Sequence, residues 1–430
     1  MSRLAELDIL CAQFHDLPRE AILKTDLLRL GLAFTPAALQ RCATAKPKSY
    51  FIFSFDRKTQ AELSPAERLC APEEIALIDG PWQLRRTIVS VRLNPDSPYR
   101  VDVHTTEPQQ LTLSCEGSVL CHVQLPALPA YYEKQLASGK PVTDISPTLE
   151  WGYLIYITAF RLCQYWGTEA ECQFCDINEN YRQQKNQGRS YTGVKDPTEV
   201  CESLAIVNAC DPERISTAYT VTGGSITTQL QGMNEGEFYA RYAEAIETQF
   251  PGRWIGKAVV QALPRDEVRA LKAAGYQIYH PNYEVWDERL FNVICPGKTR
   301  YVGRNEWMRR IVDAAEIFGP ANVIPNFVAG IEMSQPHGFT AIPEAIASTV
   351  EGLDWFMAQG ICPRFTVWCV EPNTVLAQTN TDPPPLEYYV RLLRAYRETF
   401  YKHGLPVPPG YGAPGAGQAV FSVSAFMDVL

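Results

Sequence analysis

From about Tyr153 onward, short runs of β-branched and aromatic residues alternate with segments of helical period, and this alternation restricts the fold more than any other feature. Strands that alternate with amphipathic helices in this way read as repeated βα units with parallel strands. Six such units are predicted, with strands at Gly152–Ala159, Ser216–Thr222, Trp254–Gln261, Gln277–His280, Val323–Ala329 and Arg364–Val370. Helices are expected near Pro197–Val207, Glu235–Thr248, Pro264–Ala274, Asn305–Phe318, Ile342–Ala358 and Leu386–His403. Asp196-Pro197-Thr198-Glu199 supplies a cap acid, a first-turn proline and a Glu that reaches back to the cap, so one helix start is written out explicitly.

The first part of the chain has another character. Helical pieces near Arg19–Leu30 and Pro36–Ala43 precede β-like segments at Tyr50–Phe55, Thr87–Arg92, Tyr99–His104, Leu111–Cys115 and Val119–Gln124, with Gly117 at a hairpin. The expected organisation is an N-terminal α+β accessory domain (1–145), a partial (βα)6 barrel (146–404) and a C-terminal tail (405–430). The Gly- and Pro-rich stretch Pro406–Gly417 is expected to lie over a surface, at the barrel mouth.

A chain of 430 residues with 46% hydrophobic and 20% charged residues can bury a large core. It has no apolar run of eighteen residues and no export-type start, so neither a membrane nor export is expected and the cytoplasm is the default. The net charge of −9 is spread without a basic run, which argues against nucleic acid as a partner. The 13 cysteines are an odd count in a chain without a secretory signal, so reduced thiols are expected rather than a disulfide framework.

Three of those cysteines, Cys163, Cys172 and Cys175, stand within thirteen residues, directly after the first predicted barrel strand. Loops at the C-terminal ends of strands are where barrel active sites assemble. Three thiolates suffice for three irons of a cubane cluster, and no fourth cysteine or histidine stands nearby in sequence. A Cys-x2-Cys pair with an outlying cysteine is also compatible with zinc, so that alternative stays open.

The cysteine loop ends in Cys172-Gln173-Phe174-Cys175 and thereby resembles the radical S-adenosylmethionine (radical SAM) superfamily, whose loop after the first strand closes with Cys-x-aromatic-Cys. Its eight-residue first gap departs from the usual three. The barrel is most similar to the biotin synthase-like branch, over roughly Trp151 to Asn380. The resemblance implies a [4Fe–4S] cluster on Cys163, Cys172 and Cys175, with Phe174 shielding it and stacking on adenine. It implies that Gly223 and Gly224, in Thr222-Gly223-Gly224-Ser225, meet the SAM amino group through backbone carbonyls, with Ser225 where Glu is common. Asn282 and Glu284 are expected on the SAM ribose. Arg304 is favoured over the other cations near Lys298 for the SAM carboxylate, and Val370-Glu371-Pro372 continues into a turn typical of the branch.

The additional cysteine of biotin synthase is missing from Val323-Ile324-Pro325-Asn326-Phe327, which disfavours sulfur insertion. The implied activity is reductive cleavage of SAM to a 5′-deoxyadenosyl radical that abstracts hydrogen from a small-molecule substrate. The reductant would be a small protein such as a ferredoxin or flavodoxin. No side chain is singled out as acting directly on the substrate. A non-catalytic iron–sulfur or zinc scaffold, or a redox sensor, is the alternative.

Overall fold

A computed structural model of the protein describes residues 1–41, 72–107, 109–186, 193–370, 373–408 and 422–430. The expected segment Tyr50–Phe55, Glu371 and Pro372, and most of the stretch Pro406–Gly417 lie outside the described residues.

Near the N-terminus, helices α1 (Arg3–Gln13), α2 (Arg19–Leu30) and α3 (Pro36–Arg41) accompany six strands: β1 (Ala33–Phe34), β2 (Glu74–Asp79), β3 (Leu84–Ser90), β4 (Tyr99–Val103), β5 (Leu111–Cys115) and β6 (Ser118–Gln124). They form one sheet in the order β1-β4-β5-β6-β2-β3, antiparallel except where β1 meets β4. Glu116 and Gly117 both take positive φ between β5 and β6, the backbone twist a tight hairpin needs. Helix α2 is buried almost throughout because it packs on both β3 and the second half of the chain. Its polar residues are therefore paired: Lys24 with Asp428 at 2.7 Å and Arg29 with Asp26 at 2.7 Å.

After the short helix α4 (Val142–Ile145), a second sheet runs in sequence order. It comprises β7 (Thr148–Leu149), β8 (Leu154–Phe160), β9 (Ala218–Gly223), β10 (Ile255–Val260), β11 (Ile278–Glu284), β12 (Asn326–Ala329) and β13 (Arg364–Val367). The pairs from β8 to β13 are all parallel, and β7 forms an antiparallel edge. Helices α5 (Ile177–Asn186) and α6 (Pro197–Cys210) follow β8, α7 (Glu235–Gln249) follows β9, and α8 (Arg265–Ala273) follows β10. Helices α9 (Glu288–Ile294), α10 (Pro296–Tyr301) and α11 (Arg304–Phe318) follow β11, α12 (Ile342–Met357) follows β12, and α13 (Leu386–Lys402) follows β13. The fold is thus α/β with a six-unit partial barrel, as the alternation predicts.

The sheet does not close by strand pairing, and the chain end fills the gap. Val367 donates its N–H to the Val423 carbonyl at 3.3 Å, Ser90 donates to the Ser422 carbonyl at 3.0 Å, and Ser422 donates to Glu150 Oε1 at 2.7 Å. Phe426 stacks on Phe365 at 4.3 Å. Residues 422–429, at the end of the expected C-terminal tail 405–430, are buried: their apolar residues Val423, Ala425, Phe426, Met427 and Val429 join the core. Among the described residues, no helix is long and apolar enough to cross a membrane.

The turn between β7 and β8 has an unusual backbone and meets the first sheet through Glu74. Glu150, Trp151 and Gly152 all have positive φ, and the Glu74 carboxylate accepts the N–H groups of Glu150 and Trp151 at 2.7 and 2.9 Å. Burial first, and the neighbouring Glu150 second, push the Glu74 carboxyl up to about 7. A carboxyl raised on folding contributes stability that is complete below its unfolded value and is lost as pH rises through the folded one. The thermal midpoint should therefore fall between about pH 5 and pH 7.5 more steeply in the native protein than in Glu74→Gln. Parallel slopes in thermal unfolding at matched ionic strength would contradict this.

Candidate active site

The loop that follows β8 carries Cys163, Cys172 and Cys175, and backbone contacts on several sides hold it. Beneath it lies the end of β9. A Cβ on Gly224 would stand 1.9 Å from the Leu162 carbonyl oxygen and 2.5 Å from Cys163 Cα, and one on Gly223 would stand 2.3 Å from the Phe160 carbonyl oxygen. Only glycine allows backbone to approach backbone so closely. The Gly224 N–H donates to Phe160, while the Gly224 carbonyl accepts the Tyr239 hydroxyl at 2.9 Å. The glycine pair thus seats the cysteine loop, a role distinct from the ligand contact that the sequence reading gave it.

From within the loop's own segment, the buried side chain of Asn178 accepts the Cys163 N–H at 2.8 Å and donates to the carbonyls of Cys163 and Tyr165. Gln164 accepts the Thr227 N–H at 2.8 Å. The Tyr165 hydroxyl donates to Gln261, whose amide donates in turn to the buried Glu235 at 2.6 Å. Burial pushes the Glu235 carboxyl up to about 8, so it is mostly protonated at neutral pH. On the other side, Gln173 binds the carbonyls of Ile294 and Val293, and Gly297 donates to Ala170 at 3.0 Å.

The three cysteines stand close enough to act on one another electrostatically. Cys163 and Cys172 are half-buried and Cys175 is reached by solvent. Burial first and Cys172 second push the Cys163 thiol up to about 12. The Cys172 thiol is raised chiefly by a hydrogen bond with Cys295, then by burial; that of Cys175, by the surrounding protein and then by Asp176. Among the described residues, no three His, Cys, Asp or Glu side chains converge as ligands of a single metal ion.

Cys295 is fully buried between α9 and α10, 123 positions beyond Cys172 in sequence, and the sequence reading missed it as a neighbour. The expectation that no fourth cysteine stands nearby holds along the chain and fails in space. No local spacing signals it; only the packing of α10 against Ala170 and Tyr165 brings it there.

The remaining expected site residues divide. Phe174 is half-buried against the core. Asn282 and Glu284 sit at the end of β11, where pairing with β12 slips by one residue and Glu284 takes φ +85°. Both meet Lys298: its ammonium donates to the Asn282 carbonyl at 2.8 Å and to Glu284 at 2.5 Å, and lies 4.6 Å from the Trp307 ring centre. Burial lowers Lys298, but Glu284, Cys172 and Cys295 outweigh it, so the ammonium stays above its ordinary value. Arg304 instead donates to the Trp286 carbonyl and lies 4.6 Å from that indole. Lys298 is therefore a cation beside the cysteines, whereas Arg304 meets Trp286 and Tyr283. Cys362 and Cys369 are core residues, in contact with Tyr396 and the Leu28 carbonyl.

Removing the Asn178 side chain leaves the Cys163 N–H and two carbonyls without their present partner, at a cost of roughly 1–3 kcal/mol each if they stay buried. Asn178→Ala should lower the thermal midpoint and speed alkylation of Cys163 under reducing conditions, measured by mass spectrometry. An unchanged alkylation rate would contradict the anchoring role.

No protein-family model matches the chain, and no curated protein matches it. Among solved structures, the chain is similar to coproporphyrinogen III oxidase (HemN) from Escherichia coli, a radical SAM enzyme, at 12% identity and a TM-score of 0.35, over 59% of this chain and 52% of that one. It is similar to the FeFe-hydrogenase maturase HydG from Carboxydothermus hydrogenoformans at 12% identity and a TM-score of 0.40, over 61% and 54%. A radical SAM methyltransferase from Sphaerobacter thermophilus is similar at 13% identity and a TM-score of 0.37, over 73% and 76%. The chain spans about half the length of the first two.

Proposed function

We propose that the protein is a radical SAM enzyme in which Cys163, Cys172 and Cys175 hold a [4Fe–4S] cluster and the substrate is a small molecule in the barrel. The observation that carries this reading is a loop with three cysteines at the C-terminal end of a parallel barrel strand, its Cys163 end packed against Gly224. When bound, the cluster and SAM supply one-electron chemistry, with methionine and a 5′-deoxyadenosyl radical as products of reductive cleavage.

The chain's own residues prepare that site. Gly224 and Asn178 fix the loop backbone around Cys163. Lys298 puts a buried positive charge beside Cys172 and favours its thiolate. Cys295 supplies a hydrogen-bonding partner to the Cys172 sulfur, the kind of contact that tunes a cluster's potential. Phe174, Asn282, Glu284 and Arg304 remain proposed SAM contacts, with Lys298 added to them. The proposal retains residues 1–145 as an accessory part, 146–404 as the catalytic part and 405–430 as a tail, and names a ferredoxin or flavodoxin as electron donor.

The proximity of Cys295 to Cys172 favours one competing reading, a closed four-cysteine site with a structural or sensing role. The readings separate in the anaerobically reconstituted protein. Cys172→Ala should lose the cluster absorbance and the formation of 5′-deoxyadenosine, whereas Cys295→Ala should keep four irons per chain and continue to cleave SAM. Loss of the cluster in Cys295→Ala would overturn the three-cysteine assignment.

A further inference from the structure

The interior of a packed βα barrel is ordinarily filled by Val, Ile and Leu. Here the inward side chains are largely polar. A cavity of about 180 Å³ is lined by Tyr156 from β8, Thr220 and Thr222 from β9, Lys257 from β10, His280 and Asn282 from β11, Asn326 from β12, and Arg364 and Thr366 from β13. Each of the six parallel strands thus contributes a polar group to one space. Such a lining weakens a core and is retained where a polar ligand is bound.

The charge of that space has a sign. Lys257 comes from the central strand β10 and Arg364 from β13 at the sheet edge, and each bears on His280. Burial first, then Arg364 and Lys257, hold the His280 imidazole well below its usual range and so neutral. Burial also draws the Lys257 ammonium down to about 7; Glu150 opposes this and Arg364 adds to it. Among the described residues, Glu150 is the acidic side chain that lines the cavity; its Oε1 accepts the N–H and hydroxyl of Ser422, and its charge also bears on Lys257. Cations that raise one another's energy in a low-dielectric space are relieved by an anion placed between them.

The position also matches. Thr222 immediately precedes the two glycines that seat the cysteine loop, and Asn282 is the residue whose carbonyl holds Lys298. The cavity therefore reaches the strand ends beneath the proposed cluster. At about 180 Å³ it is smaller than the ~300–1,000 Å³ usual for drug-sized ligands, which selects a small metabolite.

We infer that the barrel cavity binds a small carboxylate, with Arg364 and Lys257 as its anchoring cations and the side chains of Thr220, Thr222, Thr366 and Asn326 around it as hydrogen-bonding partners. This substrate class rests on the radical SAM reading only for what happens to the ligand, not for its binding. Guanidinium presents a planar fork that matches a carboxylate with two parallel hydrogen bonds, so Arg364 is the specificity-determining member of the pair.

The test uses the full-length, anaerobically reconstituted protein, with glutarate as probe, glutaramide as its uncharged isostere, and inorganic phosphate. Calorimetry should detect glutarate but not glutaramide, with glutarate bound more tightly than phosphate. Binding should weaken about tenfold or more in Arg364→Gln and in Lys257→Met, the loss of one charge-assisted hydrogen bond, and less in Arg364→Lys. Circular dichroism and the thermal midpoint identify any variant that fails to fold, and the conservative Arg364→Lys then carries the comparison. Equal binding of acid and amide, tighter binding of phosphate, or glutarate affinity unchanged in the folded variants would overturn the inference. The 5′-deoxyadenosine formed by the same samples reports separately on the reaction, so glutarate binding without SAM cleavage overturns the proposed function alone, and the converse overturns the cavity assignment alone.

Discussion

The arrangement of this protein depends on a contact between two stretches of main chain. At the end of β9, Gly224 lies so close to Leu162 and Cys163 that no side-chain atom fits between them. The contact carries little energy of its own. Its effect is geometric: it sets the height of the cysteine loop over the strand ends, and the hydrogen bonds of Asn178, Gln164 and Gln173 then fix the loop's orientation. A loop stitched on several sides is preorganised, and a metal bound there need not order it.

Below that loop, the structure departs from what stability alone would select. The polar lining of the barrel and the buried pairs Lys24–Asp428 and Lys298–Glu284 all carry desolvation costs that apolar residues would avoid. The two buried pairs have different settings. Lys24–Asp428 fastens the chain end against α2, so that Ser422 and Val423 bridge the open side of the barrel between Glu150 and β13. Lys298–Glu284 instead lies beside the cysteines. The accessory part thus has a physical connection to the barrel: α2 and Glu74 hold the chain end and the turn after β7, which contribute Val423 and Glu150 to the cavity lining.

Much of this was legible in the sequence. The six parallel strands and the major helices announce themselves by period and by caps such as Asp196-Pro197, and they fall within a few residues of the expected bounds. Helix α1 and strand β2 went unread, as did α5, α9 and α10, which are short or flanked by loops rather than by repeated units. The chain end was read as a loose tail because glycine and proline dominate its approach, although Val423-Ser424-Ala425-Phe426-Met427 is apolar enough to have suggested burial. At the site, the cysteine run and the glycine pair were visible as local patterns. Cys295 and Lys298 were not recognised as neighbours of Cys172, because tertiary packing alone brings them together, and Arg304 was preferred by position although it stacks on Trp286. A charged residue inside the apolar strand Ile255–Val260 was a readable sign of a polar barrel interior, and it points to Lys257.

The central claim is that three cysteines, not four, hold the cluster and that one iron is left open to SAM. Pulsed electron–nuclear double resonance on the reduced, reconstituted protein, with SAM carrying nitrogen-15 in its amino group, addresses that iron directly. The account predicts a hyperfine coupling between the cluster and the labelled nitrogen. An intact reduced cluster that shows no such coupling with SAM present, and whose four irons are all ligated by cysteine, would contradict it.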